Sequence, residues 1–159
     1  MANERITENL VRDKLRACGY YEPDNGISVE EQKSEIKRVK TLLSKASKSK
    51  TGKGGYPEFI ISSELDPNFI IVVECKANVK HHESKNRDNA KDYAVDGVLH
   101  YATHLSKEYT ILAIAVSGTT EDSLLTSNFL MPCGSSSFKE LSNESEKQVD
   151  KILPFEDYY

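Results

Sequence analysis

The sequence predicts an α/β domain in which helices lie on both faces of a mixed sheet, and three observations carry that prediction. The run Tyr109–Ser117 is almost uninterrupted in apolar residues and closes on Gly118, the pattern of a central strand buried on both faces. Two further strand-like runs, Gly55–Ile61 and Phe69–Lys76, flank the polar turn Ser62–Asn68 and read as a pair. Apolar residues at helical spacing stand before that pair and again between it and the central strand.

Taken in order, Ile6, Leu10, Val11, Leu15 and Cys18 define an amphipathic helix over Ile6–Cys18, ended by the turn-rich Gly19–Gly26. Glu8 lies about 20° from Leu15 on the helical wheel, at the edge of the apolar stripe. A second helix is expected over Val29–Ser47, with Ile36, Val39, Leu42, Leu43 and Ala46 inward, running into a basic Lys/Ser/Gly loop up to Gly55. Gly52-Lys53-Gly54 is not a phosphate loop, because a strand follows it where that motif needs a helix. After the paired strands, Asn78–Asp88 reads as a polar loop. The adjacent His81 and His82 point apart on any regular element, so the pair is expected in solvent, not as joint ligands.

A third helix is expected over Asn89–Ser106, with a stripe of mostly small residues that lets it lie close on a sheet. Asp92, Asp96 and His100 recur along its flank. The strand Tyr109–Ser117 follows, with parallel pairing to the Lys76 strand as the default for a strand–helix–strand crossover. A weaker strand is expected near Ser127–Pro132 and an acidic helix over Phe138–Leu153. The expected order is α-α-β-β-α-β-β, a three-layer arrangement. Residues 1–153 are expected to form one domain, and 154–159 to begin a linker.

With 159 residues, 38% hydrophobic and 29% charged, the chain suits one soluble domain able to bury a core without disulfides or metals. No apolar run approaches the roughly 18 residues of a membrane span, and the charged N-terminus does not resemble an export signal. Three dispersed cysteines, Cys18, Cys75 and Cys133, suit a reducing cytoplasm. The net charge of −4 is unevenly spread: Lys37–Lys53 carries seven basic residues and no acid. Such a stripe, with Lys45, Lys48, Lys50 and Lys53 at its end, suits a polyanion or a solvated helix face.

The chemistry concentrates in the paired strands, where Glu58, Glu74 and Lys76 interrupt apolar runs. An unpaired buried charge costs several kcal/mol, so these residues need a reason. Glu74 and Lys76 leave the same strand face, and pairing of the two runs brings Glu58 close. Two carboxylates and the backbone carbonyl of Cys75 suit Mg²⁺, which takes one or two carboxylates with waters and phosphate oxygens. A lysine beside them can position an attacking water or neutralise charge on a phosphorus centre. Metal, lysine and phosphate together make metal-assisted phosphodiester hydrolysis.

Pro57-Glu58, fifteen intervening residues and Glu74-Cys75-Lys76 resemble the PD-(D/E)xK nuclease superfamily. Within it, the two segments are similar to the nuclease domain at the N-terminus of type I restriction endonuclease subunits and of related restriction-modification proteins. The resemblance covers roughly Ile6–Gly118 and implies a restriction-endonuclease-like fold, with Glu58 and Glu74 as ligands of Mg²⁺ or its substitute Mn²⁺. It also implies Lys76 as catalytic lysine, Glu8 as a further candidate ligand, and DNA as substrate. Methyltransferase, specificity or motor domains or subunits are the partners it implies. The sequence departs from the pattern in having Glu58 where Asp is usual and Gly97 where restriction-type members carry Gln, four residues before Tyr101; Asp96 and His100 are candidates to replace it. The alternatives are a non-cleaving DNA-binding or assembly module on the same fold, and a structure-specific nuclease such as a junction resolvase.

Overall fold

In Phe69–Lys76 successive side chains alternate between two faces, and Phe69, Ile71, Val73 and Cys75 are as buried as Ile70, Val72 and Glu74. A strand with no solvated face needs a layer on each side. The computed structural model, which describes residues 4–46, 56–135, 137–141 and 149–158, has both layers. The strands are β1 Ile27–Glu31, β2 Phe59–Ser63, β3 Asp66–Lys76, β4 Thr110–Ser117, β5 Leu125–Met131 and β6 Lys139–Glu140; the helices are α1 Glu4–Ala17, α2 Lys37–Leu43, α3 Ala94–Leu105 and α4 Phe155–Tyr158. The six strands form one sheet in sequence order, antiparallel except for the parallel pair β3–β4. The expected mixed-sheet α/β arrangement is the one observed.

One core lies between the sheet and α1, where Val11 and Leu15 meet Phe59, Ile61, Ile71, Val73, Ile114 and Val116. The other lies under α2 and α3, where Val39, Val98 and Leu105 meet Ile60, Ile70, Val72, Ala113 and Ala115. Each fully buried Val, Leu or Ile contributes about 1.5–3 kcal/mol, so the two cores clamp β3 and β4 from both sides.

Three expected elements are corrected. The helix expected over Val29–Ser47 is two elements, because Ser28–Glu31 pairs with β2 as an edge strand, Val29 facing Ile61. The break has a local cause: Gln32 takes a left-handed φ of +67°, and the Glu30 carboxylate accepts from Ser34 Oγ (2.6 Å) and the Glu35 N–H (2.7 Å), folding the chain back before α2. The third helix begins at Ala94 and not at Asn89, because Asn89–Tyr93 is drawn into a loop around Asp96. Within the helix expected over Phe138–Leu153, Lys139–Glu140 instead pairs with β5, and the Asn128 side-chain amide donates to the carbonyls of Val149 (3.0 Å) and Lys151 (3.2 Å).

From the segment expected to begin a linker, Phe155 is buried edge-on against Phe69 with ring centroids 5.7 Å apart, and Tyr158 Oη donates to Asn128 Oδ1 at 2.9 Å. No helix among the described residues is long and apolar enough to cross a membrane.

Candidate active site

Phe59 faces Val73 in the β2–β3 ladder, so the next rung outward sets Glu58 opposite Glu74. On the other side, Glu31 faces Phe59, and the ladder continues through the Gln32 N–H, which donates to the Glu58 carbonyl at 3.1 Å. Residues directly opposite share a face, with Cβ atoms about 4.5–5.5 Å apart. Gln32 and Glu58, each one residue outside its strand, therefore sit in a row with Glu74 of β3, at the end of the sheet where β3 finishes.

Glu74 is 2% exposed. Glu58 sits just before β2 and is half-buried. Burial, then the facing Glu74 carboxylate, then Glu8, push the Glu58 carboxyl up to about 7; the Gln32 side chain, 3.4 Å from Glu58 Oε2, pulls the other way, and Glu4 adds to the rise. A carboxyl raised by burial and by a facing carboxylate marks a place that favours positive charge.

Lys76 supplies part of that charge. Its Nζ is 3.4 Å from Glu4 Oε1 in the first turn of α1, with the lysine side chain 16% exposed. Its backbone is tied down as well. The Gly118 N–H donates to the Lys76 carbonyl at 3.1 Å, and Thr7 Oγ1, buried on α1, donates to the Gly118 carbonyl at 2.6 Å. Gly118 has φ of +118°, and a Cβ there would stand 3.0 Å from the Ser123 carbonyl, so only glycine fits this crossing of chains.

Glu8, one turn along α1, has a side chain 15% exposed and lies 3.7 Å from Arg12. Burial raises its carboxyl and Arg12 opposes the rise. Its charge contributes to the rise of the Glu58 carboxyl, after burial and Glu74. Tyr101, 3% exposed on α3, completes the surroundings: burial and then the Glu74 carboxylate push its phenol up, and a hydrogen bond with the Tyr56 backbone opposes them.

The other sequence candidates sit elsewhere. Asp96 is buried at the start of α3, where its carboxylate accepts from the Ser84 N–H (3.1 Å), the Asn89 N–H (2.9 Å) and the Ser84 hydroxyl. Such a carboxylate organises a loop, with three of its roughly four lone-pair sites taken up there. His100 Nε2 meets the Ala46 carbonyl at 3.2 Å, and its ring packs on His104 with centroids 5.1 Å apart. The Cys75 thiol points into the α1-face core and is pushed up by burial. Lys45 is exposed just past α2; Lys48, Lys50 and Lys53 lie outside the described residues. The expectation of a solvated His82 is corrected: its ring bridges Ser117 Oγ and Ser127 Oγ, each at 2.8 Å.

Gln32, Glu4 and Thr7 escaped the sequence reading. Gln32 was hidden by its expected helix, and Glu4 and Thr7 act through partners more than sixty residues away. Among the described residues, no group of three His, Cys, Asp or Glu side chains is placed to hold a metal ion together. The facing pair Glu58 and Glu74 still fits a divalent cation that takes two carboxylates and fills its other positions with water and substrate oxygens.

An acidic pair and a lysine at one end of an α/β sheet make a polar, charge-dense site. Over 132 residues the chain is 36% identical to a protein of Heyndrickxia coagulans named type II restriction enzyme and methyltransferase RM.BcgI, a match that takes in 74% of this chain and 19% of that protein. The chain thus spans about a fifth of the length of the curated relative it matches. No family model and no solved structure matches the chain.

Proposed function

We propose that this chain is the cleavage domain of a metal-dependent DNA endonuclease of the PD-(D/E)xK kind, acting in a restriction-modification system. The observation that carries the reading is the row Gln32–Glu58–Glu74 with Lys76 two residues further along, at the end of β3. The similarity to a named restriction enzyme and methyltransferase supports DNA as substrate and a methyltransferase domain or subunit as partner.

Glu58, Glu74 and the Cys75 carbonyl would hold Mg²⁺ or Mn²⁺, with Glu8 a further ligand within reach of the same field. A divalent cation bound there supplies Lewis-acid polarisation of a phosphate oxygen and lowers the pKa of a bound water. The chain's own groups do the rest. Lys76, held by Glu4 in this structure, turns its ammonium toward the scissile phosphate and stabilises the charge that builds there. Glu58, whose carboxyl is pushed up to about 7 by burial and by Glu74, must lose its proton to ligate the cation, so binding there strengthens as pH rises through 7. Tyr101 orients Glu74 from the α3 side. Lys45, Lys48, Lys50 and Lys53 neutralise flanking phosphates.

The test is nicking of supercoiled plasmid with Mg²⁺ and with Mn²⁺. Lys76→Ala and Glu74→Ala are expected to lose at least about 10²-fold in rate, the lower range for a removed catalytic group, with unchanged circular dichroism. A folded wild-type protein inert on duplex, single-stranded and branched DNA with either cation overturns the reading. That result would favour the non-cleaving DNA-binding or assembly module, which the missing third ligand among the described residues also suits. Activity confined to branched DNA would make the domain a resolvase.

A further inference from the structure

The connection between Lys76 and α3 is fastened to the catalytic end of the sheet by more than a connection needs. His82 bridges Ser117 and Ser127 through both ring nitrogens, and burial holds it toward the neutral form. Ser117 is the register partner of Lys76 on β4, and Ser127 faces Ala115, the partner of Glu74. The imidazole therefore lies over the face that carries Glu74 and Lys76, one strand away. A second pin is the buried Asp96, which accepts from Ser84 and Asn89; a third is the His82 carbonyl, which accepts from the Val95 N–H at 2.7 Å.

Buried polar groups are costly unless every partner is in place, so a connection pinned at three points, with one 3₁₀ turn at Val79–His81, is held in one conformation. The fastened half, Asn78–Asn86, directs Lys80 and Lys85 to solvent. Among the described residues neither forms an ion pair. The acid of this stretch, Glu83, is neutralised by Arg87 at 3.1 Å, and Arg87 is itself held over the Phe129 ring. Two uncompensated cations on a fixed support beside an acidic site suit a polyanion that must be held there against repulsion.

We propose that Asn78–Asn86 is a backbone clamp for DNA, with Lys80 and Lys85 taking phosphates of the strand that enters the site. The inference rests on the nuclease reading for its ligand and adds a contact surface separate from the Lys37–Lys53 stripe. Binding of a labelled 30-base-pair duplex, followed by fluorescence anisotropy in EDTA across a KCl series, tests it without relying on cleavage. K80E/K85E is expected to bind at least about 10-fold more weakly, and the neutral K80Q/K85Q is expected to lower the log–log salt slope by about 2. K107E, at the opposite end of the sheet, is expected to bind as wild type. Wild-type affinity and slope in both loop variants overturn the clamp and leave the nuclease reading standing. Weakened loop variants of a protein that never nicks plasmid sustain the clamp and overturn only cleavage; no duplex binding by wild type overturns the clamp, while nicking with Mg²⁺ or Mn²⁺ decides the cleavage reading.

Discussion

Gln32 holds Glu58 twice: its backbone N–H reaches the Glu58 carbonyl at 3.1 Å, and its side-chain Nε2 lies 3.4 Å from Glu58 Oε2. It does so from a left-handed backbone, φ +67°, which costs a residue with a Cβ about 1–2 kcal/mol. Strain retained beside a row of carboxylates is the pattern of a residue kept for orientation.

Gln32→Gly is therefore expected to separate stability from electrostatics. Relief of the strain offsets the lost contact and the added chain freedom, so urea unfolding should shift by less than about 1 kcal/mol. Without the amide donor, the Glu58 carboxyl should titrate above its present value of about 7 in a carbon-detected NMR titration. An unchanged titration would show that the side-chain contact does not bear on Glu58.

Glu58 gives the fold a pH dependence of definite sign. Its carboxyl titrates near 7 in the folded chain against 4.5 as the ordinary value, so folding takes up a proton between those limits. The stability associated with that proton is full below pH 4.5 and lost as pH rises through 7. Glu58→Gln should abolish this dependence. Relative to wild type it should gain about 2 kcal/mol between pH 5 and pH 8, taking about 1.36 kcal/mol per unit and discounting for partial solvation. Chemical denaturation at the two pH values measures it. At pH 8, millimolar Mg²⁺ should raise the melting temperature of wild type and leave that of Glu58→Gln unchanged, as expected for a ligand bound only by the native carboxylate pair.

Asp96 is expected to behave as the keystone of the loop after Lys76. Asp96→Ala leaves the Ser84 and Asn89 amides without their acceptor and should cost about 2–4 kcal/mol. Asp96→Asn, which keeps one acceptor oxygen, should cost less. Hydrogen exchange should show faster exchange at Ser84 and Asn89, with the amides of β3 still protected. Uniform acceleration across the sheet would mean that Asp96 supports the fold and not the loop.

The α/β class, the strand pair around Ser62–Asn68, the buried β4 and the meeting of Glu58 with Glu74 were all legible in the sequence. Period-two alternation and a short turn leave little freedom of register. The misread elements share a cause. Ile27–Glu31 and Lys139–Glu140 are short edge strands, whose identity comes from the ladder of a neighbour and not from their own residues.

By itself the sequence singled out the candidate residues: two carboxylates and a lysine in or beside strands, where charge is otherwise excluded. Tertiary structure alone decided their surroundings. It set Gln32 in the row, Glu4 on Lys76, Thr7 on Gly118 and His82 over Ser117, because hydrogen bonds and ion pairs between distant segments depend on side-chain approach after packing, and no local periodicity encodes that approach.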